Sequence, residues 1–226
     1  MVDRKFRAAR VWSNRELEKV ASLFKGDIAN ISGWTDTDKE GSTYKDYFNQ
    51  ASSYSISNYK SDARGFQGDQ ENEFFLDLEQ TLDPAMEEKF DVVFNHTVLE
   101  HVFEVGTAFE NLCKLSKDVV IVVVPFLQEQ HADYGDYWRF TPLVLDKLFE
   151  KNGLKTLYLN FNDESKASIY MFAIGSKNPD QWESVKRVEG NRVEHIYKPG
   201  YFAGKKIIKN ALWFRVYSRL SGLLKK

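Results

Sequence analysis

The side chains best suited to acid–base chemistry lie in the second half of the chain. Glu100 and His101 are neighbours, and His131 precedes Asp136 by five residues. An imidazole close to a carboxylate can take a proton from a hydroxyl, because its ordinary pKa lies near neutral pH and the carboxylate stabilises the protonated ring. We therefore predict His131, with Asp136, as the first candidate for a general base and His101 as the second.

Other interpretations of the same residues stay open. The Glu100–His101 pair could be a helix-start device, since an acidic residue is favoured near the N-terminal end of a helix. His131 with Asp133 and Asp136 could bind a metal ion instead, but their spacing matches no standard ligand pattern. We therefore predict no metal.

Three side chains directly after Asp136 are suited to holding a polar acceptor molecule. Tyr137 and Trp138 could stack against a sugar ring, although aromatic residues at this density are more often part of a core. Arg139 could clamp an anionic sugar or a phosphate, or could pair with Asp136. The functional interpretation depends on the clustering of these residues.

These residues follow two segments that have the composition of buried strands. Residues 90–95 are mostly apolar, and residues 119–125 form a β-branched run typical of a central strand buried on both faces. Polar side chains beyond the carboxyl ends of neighbouring strands are where open α/β sheets bind their ligands. Further strands are predicted at 27–34, 53–59, 74–78, 154–160 and 168–175.

Helices are predicted to alternate with these strands. The first spans 13–24, with Ser13 or Asn14 as its N-cap, and two more span 98–116 and 142–152. This alternation predicts an α/β fold with a Rossmann-like, doubly wound, mostly parallel seven-stranded sheet and helices on both faces. The last two strands are expected to form an antiparallel pair at one edge.

Composition indicates one globular domain with an appendage. The chain has 226 residues, of which 42% are hydrophobic and 15% aromatic, enough for a sizeable core. We assign residues 1–194 to the α/β domain and residues 195–226 to a tail. The single cysteine, Cys113, excludes an internal disulfide and Cys-rich zinc sites.

The tail differs from the domain in charge. It holds 8 Lys/Arg and no Asp/Glu, which leaves 23 basic against 33 acidic residues in the rest of the chain. Residues 205–224 combine an apolar stripe with basic flanks, a pattern typical of an amphipathic helix that lies on a membrane surface. We predict an anionic membrane surface as its partner. A helix packed on the domain is the equal alternative.

Four motifs in the second half carry a resemblance to a known family. They are Phe-Asp-Val-Val-Phe-Asn at 90–95, Leu-Glu-His at 99–101, Val-Val-Val-Pro-Phe at 122–126 and Asp-Tyr-Trp-Arg-Phe-Thr-Pro at 136–142. Together they resemble the class I S-adenosylmethionine-dependent methyltransferases, and more narrowly the small methyltransferases of bacterial surface-polysaccharide clusters. The resemblance spans about residues 26–176.

The resemblance implies S-adenosyl-L-methionine as the cofactor. In the family a glycine-rich turn after the first strand approaches the methionine end, and an acid after the second strand holds the ribose. Here only Gly33 of that turn remains, Asn30 and Asn58 stand in the places of the acids, and a charged loop occupies 35–41. The residues implied to line the cofactor are Asn30, Gly33, Asn58, Asp77, Asn95 and His96.

The function that the resemblance implies is O-methylation of a sugar or glycolipid intermediate in surface-polysaccharide assembly. A glycan or lipid-linked sugar would then be the acceptor. One alternative is a methyltransferase-like protein without cofactor that serves as a scaffold or glycan-binding protein at the membrane. Another is an enzyme of the same fold that uses a different donor through the 35–41 loop.

Location and remaining partners follow from what the sequence lacks. No secretory signal or membrane span is visible, so we expect a cytoplasmic location, with peripheral attachment to the inner membrane through 205–224. Because the domain is acidic and has no Asn/Asp-Pro-Pro-Tyr/Phe motif, nucleic acid is not an expected partner.

Overall fold

Seven strands form one sheet in the order β3-β2-β1-β4-β5-β7-β6. The computed structural model describes residues 3–60, 65–68, 71–131, 135–163, 167–198, 203–210, 216–217 and 219–220. The strands are β1 (Gly26–Ile31), β2 (Ala51–Asn58), β3 (Glu73–Phe75), β4 (Phe90–His96), β5 (Ser116–Leu127), β6 (Lys155–Phe161) and β7 (Ile169–Ser176).

Strand directions agree with the predicted fold class. The neighbours from β3 to β5 run parallel, whereas β7 lies between β5 and β6 and is antiparallel to both. Residues 119–124 of β5 are fully buried, as expected for a central strand that is covered on both faces. The prediction of a Rossmann-like, mostly parallel seven-stranded sheet is confirmed.

Helices cover the two faces of the sheet. One face packs against α3 (Val105–Leu115) and α4 (Pro142–Lys151), and the other packs against α1 (Asp3–Val20) through Leu17 and Val20. Each face of the sheet thus has its own apolar core, which is the reason that both faces of β4 and β5 are apolar. The shorter helices are α2 (Tyr44–Tyr47), α5 (Glu183–Lys186) and α6 (Lys205–Asn210).

The first helix is longer than predicted. It begins at Asp3, so Ser13 and Asn14 lie inside it and the predicted N-cap is wrong. Both side chains are buried because they bond to other elements. Ser13 Oγ lies 2.9 Å from His96 Nε2, and Asn14 Nδ2 donates to the carbonyl oxygen of Asp38 at 3.0 Å. These tertiary hydrogen bonds explain why Ser13 and Asn14 are polar, a pattern that resembles a helix N-cap in the sequence.

The helix predicted at 98–116 is interrupted at its start. A 3₁₀ turn at Leu99–His101 precedes α3 instead of continuing into it. The carbonyl oxygen of Glu100 accepts hydrogen bonds from the backbone N–H groups of Tyr137 at 2.7 Å and Trp138 at 3.3 Å. Because another segment uses this carbonyl, it does not join a continuous helical ladder. The single predicted helix is therefore wrong at its first turn.

The start of the tail contacts the domain. Ile207, in α6, packs against the core on the α3 face, and Lys206 Nζ lies 3.4 Å from Asp163 Oδ2. Half of the predicted helix at 205–224 lies outside the described residues. Among the residues that are described, no helix is both long and apolar enough to cross a membrane. Three further apolar side chains of the tail are exposed: Val216 (41%), Tyr217 (70%) and Leu220 (55%).

Candidate active site

The polar side chains singled out from the sequence gather at one edge of the sheet. The strands β1 to β5 are parallel, so their carboxyl ends lie along the same edge. The edge has two halves, one at the ends of β1, β2 and β3 and the other at the ends of β4 and β5. The first half holds the predicted cofactor residues Asn30, Gly33, Asn58 and Asp77. The second half holds the predicted catalytic and acceptor residues, together with Asn95 and His96, which were also predicted to line the cofactor.

Asn58 ties the end of β2 to the turn after β1. Its Oδ1 accepts from the backbone N–H of Trp34 at 2.7 Å, and its Nδ2 donates to Trp34 O at 3.0 Å and to Glu73 Oε1 at 2.6 Å. The residue is 2% exposed. Asn58 therefore bonds mainly within the protein, and its predicted contact with a cofactor stays a prediction.

The turn after β1 is held by its own side chains. Asn30 Nδ2 donates to Asp36 Oδ1 at 2.7 Å, and Tyr54 Oη donates to the same oxygen at 2.7 Å. Burial raises the pKa of the Asp36 carboxyl, although both hydrogen bonds oppose this shift. A Cβ on Gly33 would lie 2.6 Å from Asn30 Nδ2, so the close approach needs glycine.

The end of β4 lies beneath α1. Asn95 Nδ2 donates to Ile31 O at 2.9 Å, while its Oδ1 is buried and has no hydrogen-bond partner among the described residues. The ring of His96 lies between Ser13 Oγ (2.9 Å from Nε2) and Arg10 (Nη1 3.5 Å from Nδ1). Burial lowers the pKa of His96 well below its usual range, so the ring is neutral at pH 7.

An exposed aromatic pair lies where β2 and β3 end. Tyr59 is 38% and Phe75 is 57% exposed, and their ring centroids lie 6.1 Å apart. Asp77, two residues after Phe75, is half-buried, and its Oδ1 accepts from the backbone N–H of Glu79 at 2.9 Å. The sequence did not single out Tyr59 or Phe75, because an aromatic residue at a strand end is not distinguishable from a core residue.

In the second half of the edge, Glu100 and His101 lie beside His131. His101 Nδ1 lies 2.6 Å from Gly135 O, and because a carbonyl only accepts, Nδ1 carries the hydrogen and Nε2 is the basic atom. His101 Nε2 lies 3.8 Å from Glu100 Oε1, and the His101 and His131 ring centroids are 5.0 Å apart. Burial raises the pKa of Glu100 to about 8 and lowers the pKa of His101.

Asp136 organises the loop that carries His131. Its two oxygens accept from Arg139 Nη1 at 2.5 Å and Nη2 at 2.7 Å, and Oδ2 also accepts from His131 N at 2.9 Å. His131 Nδ1 is 3.3 Å from the same Oδ2. The Arg139 guanidinium holds the pKa of Asp136 well below its usual range. The alternative in which Arg139 pairs with Asp136 is therefore observed, while Asp133 lies outside the described residues.

Three exposed aromatic side chains border this cluster, and we call them the aromatic wall. Phe103 is 60% exposed, Tyr137 51% and Trp138 39%. The Phe103 and Tyr137 rings meet edge to face with centroids 5.3 Å apart, and Trp138 Nε1 donates to Phe103 O at 3.1 Å. Such exposure argues against the core interpretation of Tyr137 and Trp138. Phe103 was not predicted.

Sequence reasoning missed two kinds of residue at this edge. Gly135 has φ +118°, and a Cβ there would lie 2.6 Å from the Tyr137 ring, so this position needs glycine. A glycine between His131 and the 136–142 motif could have indicated this tight turn from the sequence. Arg10 gave no signal, because it contacts Thr97 (Nη2 to Oγ1 2.9 Å) only through the tertiary fold.

Comparison with known proteins supports the fold and leaves the family unassigned. No model of a known protein family matches the sequence, and no protein of curated function is significantly similar to it. A chain from the complex of the Haloferax volcanii methyltransferase activator Trm112 with its proposed methyltransferase has a TM-score of 0.52. It is 9% identical, and the match covers 75% of this chain and 93% of that one. The chain has the fold of class I methyltransferases.

Two more solved structures are similar to this chain. The YcgJ protein of Bacillus subtilis has a TM-score of 0.51 and 9% identity, with 73% of this chain and 98% of that one covered. The magnesium protoporphyrin IX methyltransferase of Synechocystis, crystallised with bound S-adenosylhomocysteine, has a TM-score of 0.49 and 11% identity. That match covers 76% of this chain and 86% of the other.

Some residues at the carboxyl edge are suited to binding S-adenosylmethionine, whereas others already bond within the protein. The exposed ring of Phe75 suits an adenine ring, which stacks on aromatic side chains, whereas Lys60 Nζ already lies over the Tyr59 ring at 4.8 Å from its centroid. The buried Oδ1 of Asn95 is an acceptor still available to a donor. Asn30 and Asn58, in contrast, already bond within the protein. The cofactor therefore fits best at the ends of β2, β3 and β4.

Proposed function

We propose that this protein is an S-adenosylmethionine-dependent O-methyltransferase that acts on a hydroxyl of a sugar or glycolipid. One observation carries the proposal. In a chain with the methyltransferase fold, His101 and His131 lie beside the exposed aromatic wall at the same sheet edge as Asn95 and the Tyr59–Phe75 pair. Two adjoining sites on one edge are what transfer between a cofactor and an acceptor requires.

The aromatic wall supports a sugar as the acceptor. Phe103, Tyr137 and Trp138 are exposed together, and a cluster of exposed apolar side chains marks a binding site more often than single ones do. Tyr137 and Trp138 offer flat apolar faces with polar tips. The C–H faces of a sugar ring pack well against such rings, while its hydroxyls reach the neighbouring imidazoles. Arg139 lies close by, but it is engaged by Asp136.

His131 remains the first candidate for the base in this proposal. Its side chain is 28% exposed, and Asp136 Oδ2 lies 3.3 Å from Nδ1, so an imidazole and a carboxylate lie together as acid–base chemistry requires. His101 is the second candidate, because its basic Nε2 faces the buried Glu100. Bound S-adenosylmethionine would supply an electrophilic methyl group, so the protein has only to align the acceptor oxygen and accept its proton.

A membrane-bound acceptor is the finer part of the proposal. The exposed Val216, Tyr217 and Leu220 and the lack of acidic residues in the tail support a helix that lies on an anionic surface, where lipid-linked glycans are assembled. The contact of Ile207 with the core supports the alternative in which the tail helix packs on the domain, but only for the first turn of the predicted 205–224 helix.

A scaffold without cofactor is the second candidate function. It is favoured by the turn after β1, in which Asn30 and Asn58 bond to Asp36 and Trp34 and leave little for a ligand. A donor other than S-adenosylmethionine would meet the same obstacle at this turn.

Calorimetric titration of the full chain with S-adenosylmethionine and S-adenosylhomocysteine tests the proposal. Binding with a micromolar dissociation constant is the expected result, followed by screening of glycan acceptors for methyl transfer. No heat at several temperatures, together with no thermal stabilisation by either compound, would reject the methyltransferase and favour the scaffold.

A further inference from the structure

The side chains of Glu100, His101 and His131 form a compact cluster of possible metal ligands. One ligand atom of each lies within 4.8 Å of the other two. Glu100 and His101 come from the turn after β4, and His131 comes from the loop after β5. The cluster is invisible in the sequence, because 30 residues separate its two parts.

The burial of Glu100 points to a ligand. The residue is 0% exposed, and neither carboxylate oxygen has a hydrogen-bond partner in any other described residue. Buried carboxylates in proteins are normally paired, hydrogen-bonded or bound to a metal, because an isolated one loses its hydration without compensation. His101 Nε2 at 3.8 Å is too far for a hydrogen bond with Oε1. A cation between these atoms would satisfy both.

His101 is oriented as a metal-binding histidine is. A ligating imidazole usually donates its other N–H to a carbonyl or a carboxylate, which fixes the ring and leaves the second nitrogen for the metal. His101 Nδ1 lies 2.6 Å from Gly135 O, so the lone pair is on Nε2, the atom that faces Glu100. The ring of His131 is placed differently: Nδ1 lies 3.3 Å from Asp136 Oδ2, and Nε2 lies 3.4 Å from Gln128 Nε2.

We propose that Glu100, His101 and His131 bind a divalent first-row transition-metal ion. Two imidazoles and one carboxylate suit Zn²⁺, Fe²⁺, Co²⁺ or Mn²⁺ better than Mg²⁺ or Ca²⁺, which prefer oxygen ligands. Bonds of about 2.0–2.2 Å place tetrahedral ligand atoms roughly 3.3–3.6 Å apart. The 3.8 Å between His101 Nε2 and Glu100 Oε1 is close to that value.

Three protein ligands leave a coordination position for water or a substrate oxygen. If the proposed methyl transfer holds, this position would take the acceptor hydroxyl beside the aromatic wall. A metal-bound hydroxyl loses its proton more readily than a free one. The two histidines would then act as ligands. The metal would make the acceptor hydroxyl more acidic, and the proton that it loses would pass to water.

The test is direct metal binding by the full chain after treatment with a chelator, without cofactor or acceptor. Zn²⁺ is titrated by calorimetry and Co²⁺ by visible absorption, and one ion per chain is expected. Glu100→Gln and His131→Ala should each weaken the affinity at least about tenfold, since even the partners of ligands contribute this much. The matched variants Glu104→Gln and His195→Ala change an exposed carboxylate and a histidine outside the cluster, and they should bind as the unmodified chain does.

Two outcomes would overturn the site. One is the absence of binding for Zn²⁺, Co²⁺ and Mn²⁺, and the other is unchanged affinity in both cluster variants. Circular dichroism checks that each variant is folded, and His131→Ala decides the case should Glu100→Gln unfold. Because cofactor is left out, failure here leaves the proposed methyl transfer untouched.

Discussion

The side-chain amide of Asn58 binds both backbone polar groups of Trp34, with Oδ1 2.7 Å from Trp34 N and Nδ2 3.0 Å from Trp34 O. This pair fixes the turn after β1 against the end of β2. A carboxylate at position 58 could accept from Trp34 but could donate neither to Trp34 O nor to Glu73.

Asn58→Asp should therefore destabilise the protein. The change removes two donated hydrogen bonds and places a negative charge beside Glu73, which is expected to cost about 2–3 kcal/mol of unfolding free energy. Urea denaturation measures this loss. Asn49→Asp makes the same chemical change at an exposed site and should shift stability by less than about 0.5 kcal/mol. A stable Asn58→Asp variant that binds S-adenosylmethionine more tightly would show that the side chain faces the cofactor.

Phe75→Ala tests the place of the adenine ring. Stacking of a base on an aromatic side chain contributes about 1–3 kcal/mol, so the affinity for S-adenosylhomocysteine should fall roughly tenfold. Phe103→Ala removes an equally exposed ring from the aromatic wall and should leave this affinity unchanged. Equal effects of the two variants in calorimetry would contradict the division of the edge into cofactor and acceptor halves.

His131→Ala should abolish methyl transfer with little change in cofactor affinity. A general base contributes about 10²–10⁴-fold to the rate, and loss of a metal ligand would also stop turnover. The two roles separate on treatment with a chelator, which inactivates a metal-dependent enzyme and leaves a simple base active. Near-normal turnover of the variant would exclude both roles for His131.

Glu100 should make the metal-free protein less stable as the pH rises. Its pKa is about 8 in the folded state against 4.5 for the ordinary group, so between these values the native state binds more protons than the unfolded state. The unfolding free energy should then fall by up to about 1.4 kcal/mol per pH unit and level off above pH 8. Urea denaturation from pH 5 to pH 9 with a chelator present measures this slope.

Matched variants isolate the contribution of Glu100 to that slope. Glu100→Gln cannot ionise and should lose this part of the pH dependence, while Glu104→Gln should keep it. A slope that is the same in both variants would place the titrating group elsewhere.

Truncation after Tyr201 should remove binding to anionic vesicles. The deleted residues carry 7 Lys/Arg, so their attraction to the surface should weaken with added salt. Sedimentation with vesicles of anionic and of zwitterionic lipid compares the two surfaces. If the truncated and full chains sediment equally, the tail packs on the domain and has no part in membrane attachment.

The mostly parallel, seven-stranded sheet could be predicted from the amino-acid sequence alone. The runs at 90–95 and 119–125 are apolar on both faces, and a segment of this kind is stable only as a central strand covered by helices on each side. The polar residues that follow these two strands were predicted to meet at the carboxyl edge, because neighbouring parallel strands end at the same edge of a sheet. These inferences needed only the local pattern and the rule of parallel connection.

The contacts that cover the carboxyl edge of the sheet join residues far apart in the sequence, so only the tertiary structure shows them. Arg10 and Ser13 lie in α1, where polar residues obscure the helical repeat of apolar residues in the sequence. They contact Thr97 and His96, which are more than 80 residues away along the chain. Glu100 leaves the predicted helix because its carbonyl bonds to Tyr137 and Trp138. Such contacts depend on which surfaces meet after the sheet has formed, and no spacing along the chain records them.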